Sequence, residues 1–130
     1  MKHYFFLFLG FLCITCCHAA DMPSASHMDH THKILDFLSR TELCLNSCRN
    51  AESAAASLPQ LRELGKECAQ LVESQRALPE PTVQDYMAVQ DQMEAFNTIW
   101  EAICKHIERL ESEQLISEEM RNILRIAPSN

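Results

Sequence analysis

The chain has 130 residues, with 11 lysines and arginines, 18 aspartates and glutamates, and a formal net charge of −7. An acidic surface disfavours nucleic acid and anionic membranes as main partners, because both recruit basic surfaces. The whole chain has only two glycines, too few for the turns of a strand-rich protein, so the composition predicts an all-α fold.

Residues 1–20 have the three regions of a secretory signal peptide. Lys2 gives a basic start, residues 4–17 form an apolar run, and His18-Ala19-Ala20 follows with small residues. The apolar run falls short of the ~20 residues that span a bilayer as a helix, and no basic stop-transfer cluster follows it. We therefore expect cleavage after Ala19 or Ala20 and a periplasmic or secreted product.

Membrane attachment is expected only if the chain is lipidated at Cys16 or Cys17. A bacterial lipidation motif has Gly, Ala or Ser before the modified cysteine. Here Thr15 and Cys16 precede the two candidates, so a soluble exported product is favoured.

Residues 21–31 are polar, lack helical periodicity and are predicted to form a flexible leader. The segment is rich in histidine and methionine, and it is similar to the leaders of exported copper-handling proteins. Imidazole, carboxylate and thioether groups are ligands for copper and zinc. The sequence thus predicts a transition-metal site for copper or zinc made of His27, Asp29, His30 and His32.

A helical-bundle domain is predicted over residues 32–126, with a short tail at 127–130. Helix 1 starts near His32, because apolar residues then recur at the i, i+3, i+4 spacing of an amphipathic helix. Its end is open to two interpretations. Either it continues through the alanine-rich stretch to Ser57, or it ends at Asn50 as a C′ residue.

Helix 2 is predicted to start at Ser57, which forms a capping-box pattern with Gln60. Pro79-Glu80-Pro81 ends it, because neither proline can continue a helix.

Helix 3 has the most regular pattern in the chain and is predicted to open with Thr82 and Asp85. Its apolar residues step by alternating threes and fours, as in a coiled-coil seam. The seam consists of Tyr86, Val89, Met93, Phe96, Trp100, Ile103, Ile107 and Leu110. It predicts that one long helix packs lengthwise in the bundle, and it equally suits a homodimer or another protein partner.

A short fourth helix is predicted to start at Ser117, with two glutamates at the positive end of its dipole. The segment Ile116-Ser117-Glu118-Glu119-Met120-Arg121 resembles the Leu-Thr-x-x-Gln motif of periplasmic stress chaperones related to Spy, with Met120 in the position of Gln. The resemblance implies a chaperone-like binding role.

Four cysteines remain after residue 20, and an even number in an exported domain predicts disulfides. Helix heights decide which pairs can form. If helix 1 ran to Ser57, Cys48 would be level with Cys68, but Cys44 and Cys104 would be roughly 20 Å out of level, too far for a disulfide. If it ended at Asn50, Cys44 would be level with Cys68, and Cys48 would lie near the same end of the bundle as Cys104. The sequence therefore predicts disulfides Cys44–Cys68 and Cys48–Cys104.

Cys44-Leu-Asn-Ser-Cys48 also places two thiols on one helical face. Soft thiolates bind Cu(I), and in this motif the chain resembles the exported four-helix copper-storage proteins. Redox enzymes of the thioredoxin type instead use Cys-x2-Cys at a helix start, where the dipole lowers a thiol pKa. Because the spacing here is different and the pair lies in the middle of a helix, a redox role is not predicted.

No phosphate-binding loop, nucleophile elbow or His-Glu-x-x-His motif is present in the sequence, so an enzyme is not expected. The first function predicted is a non-enzymatic binding protein of the cell envelope that handles a transition metal through its histidine leader. The second is a structural or chaperone-like module with an apolar groove that binds a helix.

Overall fold

The computed structural model describes residues 25–125, and within that range all regular structure is helical. The five helices are α1 Ala25–Ser47, α2 Ala51–Ala77, α3 Val83–Gln90, α4 Met93–Ser112 and α5 Glu118–Leu124. The predicted all-α helical bundle is therefore confirmed. None of the described helices has the length and apolarity needed to cross a membrane. The predicted signal peptide and the tail at 127–130 lie outside the described residues.

The connection between α1 and α2 consists of residues 48–50. The α1 helix ends at Ser47, and Asn50 is the N-cap of α2, with φ −155° and ψ 177°. Its side chain accepts a hydrogen bond from Ser53 N, and the Ser53 hydroxyl accepts one from Asn50 N. Asn50 is therefore not the C′ residue of α1, although the predicted break near this position is confirmed.

This capping box at Asn50 moves the start of the second helix. Because two donors at the helix start are satisfied there, α2 opens at Ala51 and includes Ser57, which was predicted as its N-cap. Pro59 lies inside α2, on its exposed side. The predicted end is confirmed, because α2 stops at Ala77, just before Pro79 and Pro81.

The third predicted helix is divided into two. Thr82 and Asp85 open α3 as predicted and form a capping box there, but the chain turns at Asp91 and Gln92 before α4 begins. In this turn Gln92 N donates to Val89 O. This is an i→i+3 bond, which winds the backbone more tightly than the i→i+4 bonds of an α-helix and interrupts the helix here. The predicted seam is divided with it, since Ile103, Ile107 and Leu110 are buried while Tyr86 is exposed.

The α1 helix is the centre of the bundle, because α2, α3 and α4 all pack against it, whereas α5 packs on α2. α1 and α2 are antiparallel: Arg40 bonds to Glu67, while Ser47, nearer the corner, contacts Ser57. The core consists of Phe37, Leu38, Cys44, Leu45, Cys48, Ala54, Leu61, Leu64, Leu71, Ile103, Ile107, Leu110 and Met120.

The α1 and α4 helices are parallel. His106 Nε2 lies 2.7 Å from Glu42 Oε1, and one turn further along both helices Arg109 donates to Leu45 O. Parallel neighbours need a long connection, and here α2 and α3 supply it. The architecture is thus an up-down-up arrangement in which the third leg consists of α3 and α4.

The predicted disulfides Cys44–Cys68 and Cys48–Cys104 are absent, because all four described cysteines are free thiols. The prediction assumed that helix 2 starts at Ser57. Since α2 starts at Ala51, the two helices are in a different register. The Arg40–Glu67 and Ser47–Ser57 contacts place Cys68 about six or seven residues, ~10 Å, beyond the level of Cys44.

The second predicted pair fails for a related reason. Arg109 donates to the carbonyl of Cys48, so that residue of α4 is level with Cys48. Cys104 lies about one and a half turns earlier, ~8 Å along the axis and on a different side of α4. A disulfide requires Cα atoms within ~7 Å with facing Cβ atoms, which neither pair provides.

Gly65 of α2 lies directly against Ile123 of α5. A Cβ atom at this position would lie 3.2 Å from Ile123 Cγ2, tighter than ordinary van der Waals contact. The absence of a side chain therefore brings the apolar side of α5, with Met120 fully buried, onto α2. The predicted N-cap of this helix is confirmed, since the Ser117 hydroxyl accepts from Met120 N.

Gln114 offers a stabilising substitution. It follows α4 with φ 55°, and Leu115 N donates to Leu110 O across it, the 6→1 bond of a Schellman motif. Glycine adopts this left-handed conformation without steric cost, whereas other residues lose ~1–2 kcal/mol. We expect Gln114→Gly to raise the free energy of unfolding by about 1 kcal/mol, measured by urea denaturation. A lower free energy of unfolding in the variant would contradict this.

Candidate functional site

The predicted metal-binding segment belongs to α1, which starts at Ala25 and thus includes residues 25–31 of the predicted leader. His27 and His30 are buried, with 6% and 5% of their surfaces exposed, while Asp29 and His32 face solvent. The helix therefore separates the four predicted ligands onto two sides. His30 follows His27 by three positions, a spacing that puts both on the inward-facing side of α1.

The two buried histidines differ in their bonding. His27 Nε2 lies 3.0 Å from the carbonyl oxygen of Pro79, so it joins α1 to the connection between α2 and α3. His30 Nε2 is buried without a hydrogen-bond partner. Among residues 25–125, no group of three or more His, Cys, Asp or Glu side chains is placed to hold a metal ion. Metal binding through His27, Asp29, His30 and His32 stays a prediction.

Burial makes His30 a source of acid sensitivity. Desolvation, then Lys33 and His27, lower the pKa of His30 below its ordinary value of 6.5. The unfolded chain thus binds a proton at a pH where the folded chain does not, so stability is lost as the pH falls below 6.5. We expect the melting temperature to decrease between pH 7.5 and 5, and His30→Leu to weaken this decrease.

His32→Leu is the matched control for His30→Leu, because His32 is exposed on the same helix. The melting temperature of His32→Leu should depend on pH in the same way as that of the unchanged protein. If both variants had the same slope, His30 would not be the responsible group. Circular dichroism at 222 nm provides the measurement.

The Cys44–Cys48 pair is buried in the core near the α1–α2 corner. Cys48 Sγ donates to Cys44 O over 3.3 Å. Burial and the neighbouring Cys48 raise the pKa of the Cys44 thiol, against a smaller lowering by a hydrogen bond with Ser57. A buried thiol with a raised pKa is a weak nucleophile and a weak metal ligand at neutral pH.

The remaining two thiols have the same character. Burial raises the pKa of Cys68, against a smaller lowering by Arg125, and burial with Glu108 and Glu101 raises the pKa of Cys104. Cys44, Cys68 and Cys104 thus all have raised pKa values, whereas a reactive cysteine has a lowered one. Cys44 and Cys48 lie in the core and Cys68 packs against it, a role that the even cysteine count concealed.

An exposed apolar surface lies on α3 and is called the α3 face below. It consists of Val83, Tyr86 and Met87, whose side chains are 46%, 46% and 62% exposed. They follow the i, i+3, i+4 spacing of one helix side. Leu43 on α1, also 62% exposed, is the one other large apolar residue of comparable exposure among residues 27–125. Apolar side chains scattered singly are normal on a surface, but three on one short helix form a patch.

The α3 helix is held to the bundle by its opposite side. Asp85 is 1% exposed, and its Oδ2 accepts hydrogen bonds from Thr82 N and Thr82 Oγ1 at 2.9 and 2.8 Å. Because α3 packs on α1 and is capped in this way, Val83, Tyr86 and Met87 are presented by an ordered helix.

The chain segment that contains the α3 face has charges of one sign. Residues 77–104 contain no lysine or arginine, and their charged residues are Glu80, Asp85, Asp91, Glu94 and Glu101. Asp85 is buried, so α3 itself exposes no charge, while Glu80 and Asp91 lie exposed just outside its two ends. The α3 face is thus an apolar patch flanked along the chain by exposed acidic residues, which are called its acidic rim below.

The predicted apolar groove on the third helix stays a prediction. Tyr86, the first residue of the predicted seam, belongs to the α3 face. The sequence also indicates the acidic rim, because no basic residue occurs over 28 consecutive positions, 77–104. Comparisons with family models, curated proteins and solved structures found no match to this chain.

Proposed function

We propose that this protein is an exported, non-enzymatic helical bundle that binds another protein through the α3 face. One observation carries the proposal: Val83, Tyr86 and Met87 lie exposed together on one capped, ordered helix. Exposed apolar patches with polar rims are characteristic of protein interaction sites. The signal-peptide pattern of residues 1–20 supports a location in the cell envelope or outside the cell.

Site-specific photo-crosslinking in the native envelope tests this proposal. A photoreactive amino acid at position 87 should crosslink to a protein that is absent when the same group is placed at position 43. Met87 and Leu43 are equally exposed, so the comparison controls for accessibility. Identical crosslinks from both positions, or none from position 87, would contradict the proposal.

Transition-metal handling is a second candidate, favoured by the buried, unpartnered Nε2 of His30 beside His27. Histidine nitrogens bind both copper and zinc. Calorimetric titration with Cu²⁺ or Zn²⁺ alone should then show binding that His30→Asn abolishes. Binding that survives this change but is lost in His32→Asn would instead indicate a surface site.

A further inference from the structure

We infer that the partner segment that occupies the α3 face is an amphipathic helix with apolar anchor residues and a lysine- or arginine-rich rim. This inference rests on the proposed function and specifies the chemistry of its partner. It follows from the shape of the face, the charges around it, and its area.

The shape of the face favours a helical segment. Val83, Tyr86 and Met87 form a stripe on a helix of eight residues, which is ~12 Å long. A partner helix that lies along such a stripe contacts it with its own residues at i, i+3 and i+4. Met87 is the most exposed of the three residues, and its flexible thioether adapts to different anchors.

The rim charges favour a basic partner. Glu80 lies just before α3, and Asp91 and Glu94 lie at and after its other end, all of them exposed. The nearest basic residue before this stretch, Arg76, already donates to Glu73 over 2.8 Å. Charges of one sign around an interface steer and select a partner with the opposite sign.

The same charges disfavour a second copy of this chain. In a two-fold dimer through α3 the acidic rim of one copy would face the acidic rim of the other, and each copy has a net charge of −7. Three half-exposed side chains also provide only about 300 Å², whereas a stable interface buries ~800 Å² from each partner. A weak, salt-sensitive complex with a basic helix is therefore expected.

Two synthetic peptides of 15 residues test the inference with the purified full chain. Both have leucines at i, i+3 and i+4 spacing, and one has lysines and the other glutamates at all remaining positions. Fluorescence anisotropy at low ionic strength measures their dissociation constants. We expect the lysine peptide to bind at least tenfold more tightly than the glutamate peptide.

Variants locate the binding site. Met87→Ser should raise the dissociation constant of the lysine peptide tenfold or more. Leu43→Ser, at an equally exposed position, should leave that constant unchanged. The double variant Glu80→Gln/Asp91→Asn should weaken binding several-fold and flatten its salt dependence. Glu52→Gln/Glu118→Gln removes the same charge from the exposed starts of α2 and α5 and should have little effect.

Several results would overturn the inference. If no peptide binds, or if both charge variants weaken binding equally, the acidic rim of α3 does not select the partner. If both peptides bound equally and Met87→Ser still weakened their binding, a basic partner would be excluded. The proposed protein-binding function would not be contradicted by that result. A dimer in sedimentation equilibrium that Met87→Ser dissociates would identify a second copy as the occupant. Absence of position-87 crosslinks in the envelope would remove the proposed function itself.

Discussion

Replacing Leu45 by alanine is expected to lower the free energy of unfolding by about 2–5 kcal/mol, the largest single-residue effect that we predict. Leu45 has no exposed surface and lies where α1 packs against both α2 and α4. Alanine loses the buried methyl groups and leaves a cavity, because surrounding helices fixed by several contacts relax only in part. Urea denaturation followed by circular dichroism measures the change from the midpoint and slope.

Leu43→Ala is the matched control for Leu45→Ala, since it makes the same chemical change two positions earlier on the same helix. Leu43 is 62% exposed, so the expected change is below about 0.5 kcal/mol. Comparable losses in the two variants would contradict this prediction, because they would show that Leu43 is as buried as Leu45.

Arg109→Ala is expected to lower the free energy of unfolding by about 2–4 kcal/mol, because hydrogen bonds from charged groups contribute ~1.5–3 kcal/mol each. Arg109 lies on α4. Its Nη2 donates to the carbonyls of Leu45 and Cys48 at 3.2 and 2.9 Å, and its Nη1 donates to Glu113 at 3.1 Å. The two carbonyls lie at the C-terminal end of α1. The negative end of the helix dipole is there, and it attracts the positive charge of Arg109.

Arg62→Ala provides the comparison for Arg109→Ala. Arg62 pairs with Glu119 between α2 and α5, but the two side chains are 51% and 44% exposed. An exposed ion pair contributes ~0–1 kcal/mol, so this variant should remain close to the unchanged protein. If Arg109→Ala were equally mild, the two carbonyls would be satisfied by solvent in the folded chain.

Local chemistry predicted three of the helix boundaries. The start of α3 at Thr82 and Asp85, the N-cap at Ser117 and the stop before Pro79 depend on side chains within three or four residues, and all three are confirmed. The start of α2 was missed for a similarly local reason. The third position of a capping box is usually Glu or Gln, and serine is uncommon there. The sequence therefore indicated a helix start at Ser57 with Gln60, and not at Asn50 with Ser53, where the reciprocal bonds are found.

Tertiary packing determined what the sequence could not predict. The heptad pattern extends unbroken through Val89 and Met93, yet the helix ends between them. Apolar spacing reports which side of a helix is apolar but not whether a partner covers that side. Here the C-terminal part of the seam is covered, while Tyr86 is not. For the same reason the sequence did not show that the apolar residues of α3 are exposed.

The histidine segment was misjudged by residue type. His27 and His30 lie seven and four residues before Ile34, so they extend the inward stripe of α1 by two turns. A polarity-based interpretation assigned them to a solvated leader. Their spacing was the better guide, since a helix periodicity that continues through a polar residue predicts burial of that residue.

The parallel pairing of α1 with α4 has a kinetic consequence. Contacts such as His106 with Glu42 join positions 64 residues apart, whereas the α1–α2 corner brings together residues only about ten apart. Loop-closure entropy grows with the length of the intervening chain, so the α1–α2 hairpin is expected to assemble early and α4 to dock late. Substitutions in α4 should then act mainly on the unfolding rate, and those in the hairpin on the folding rate.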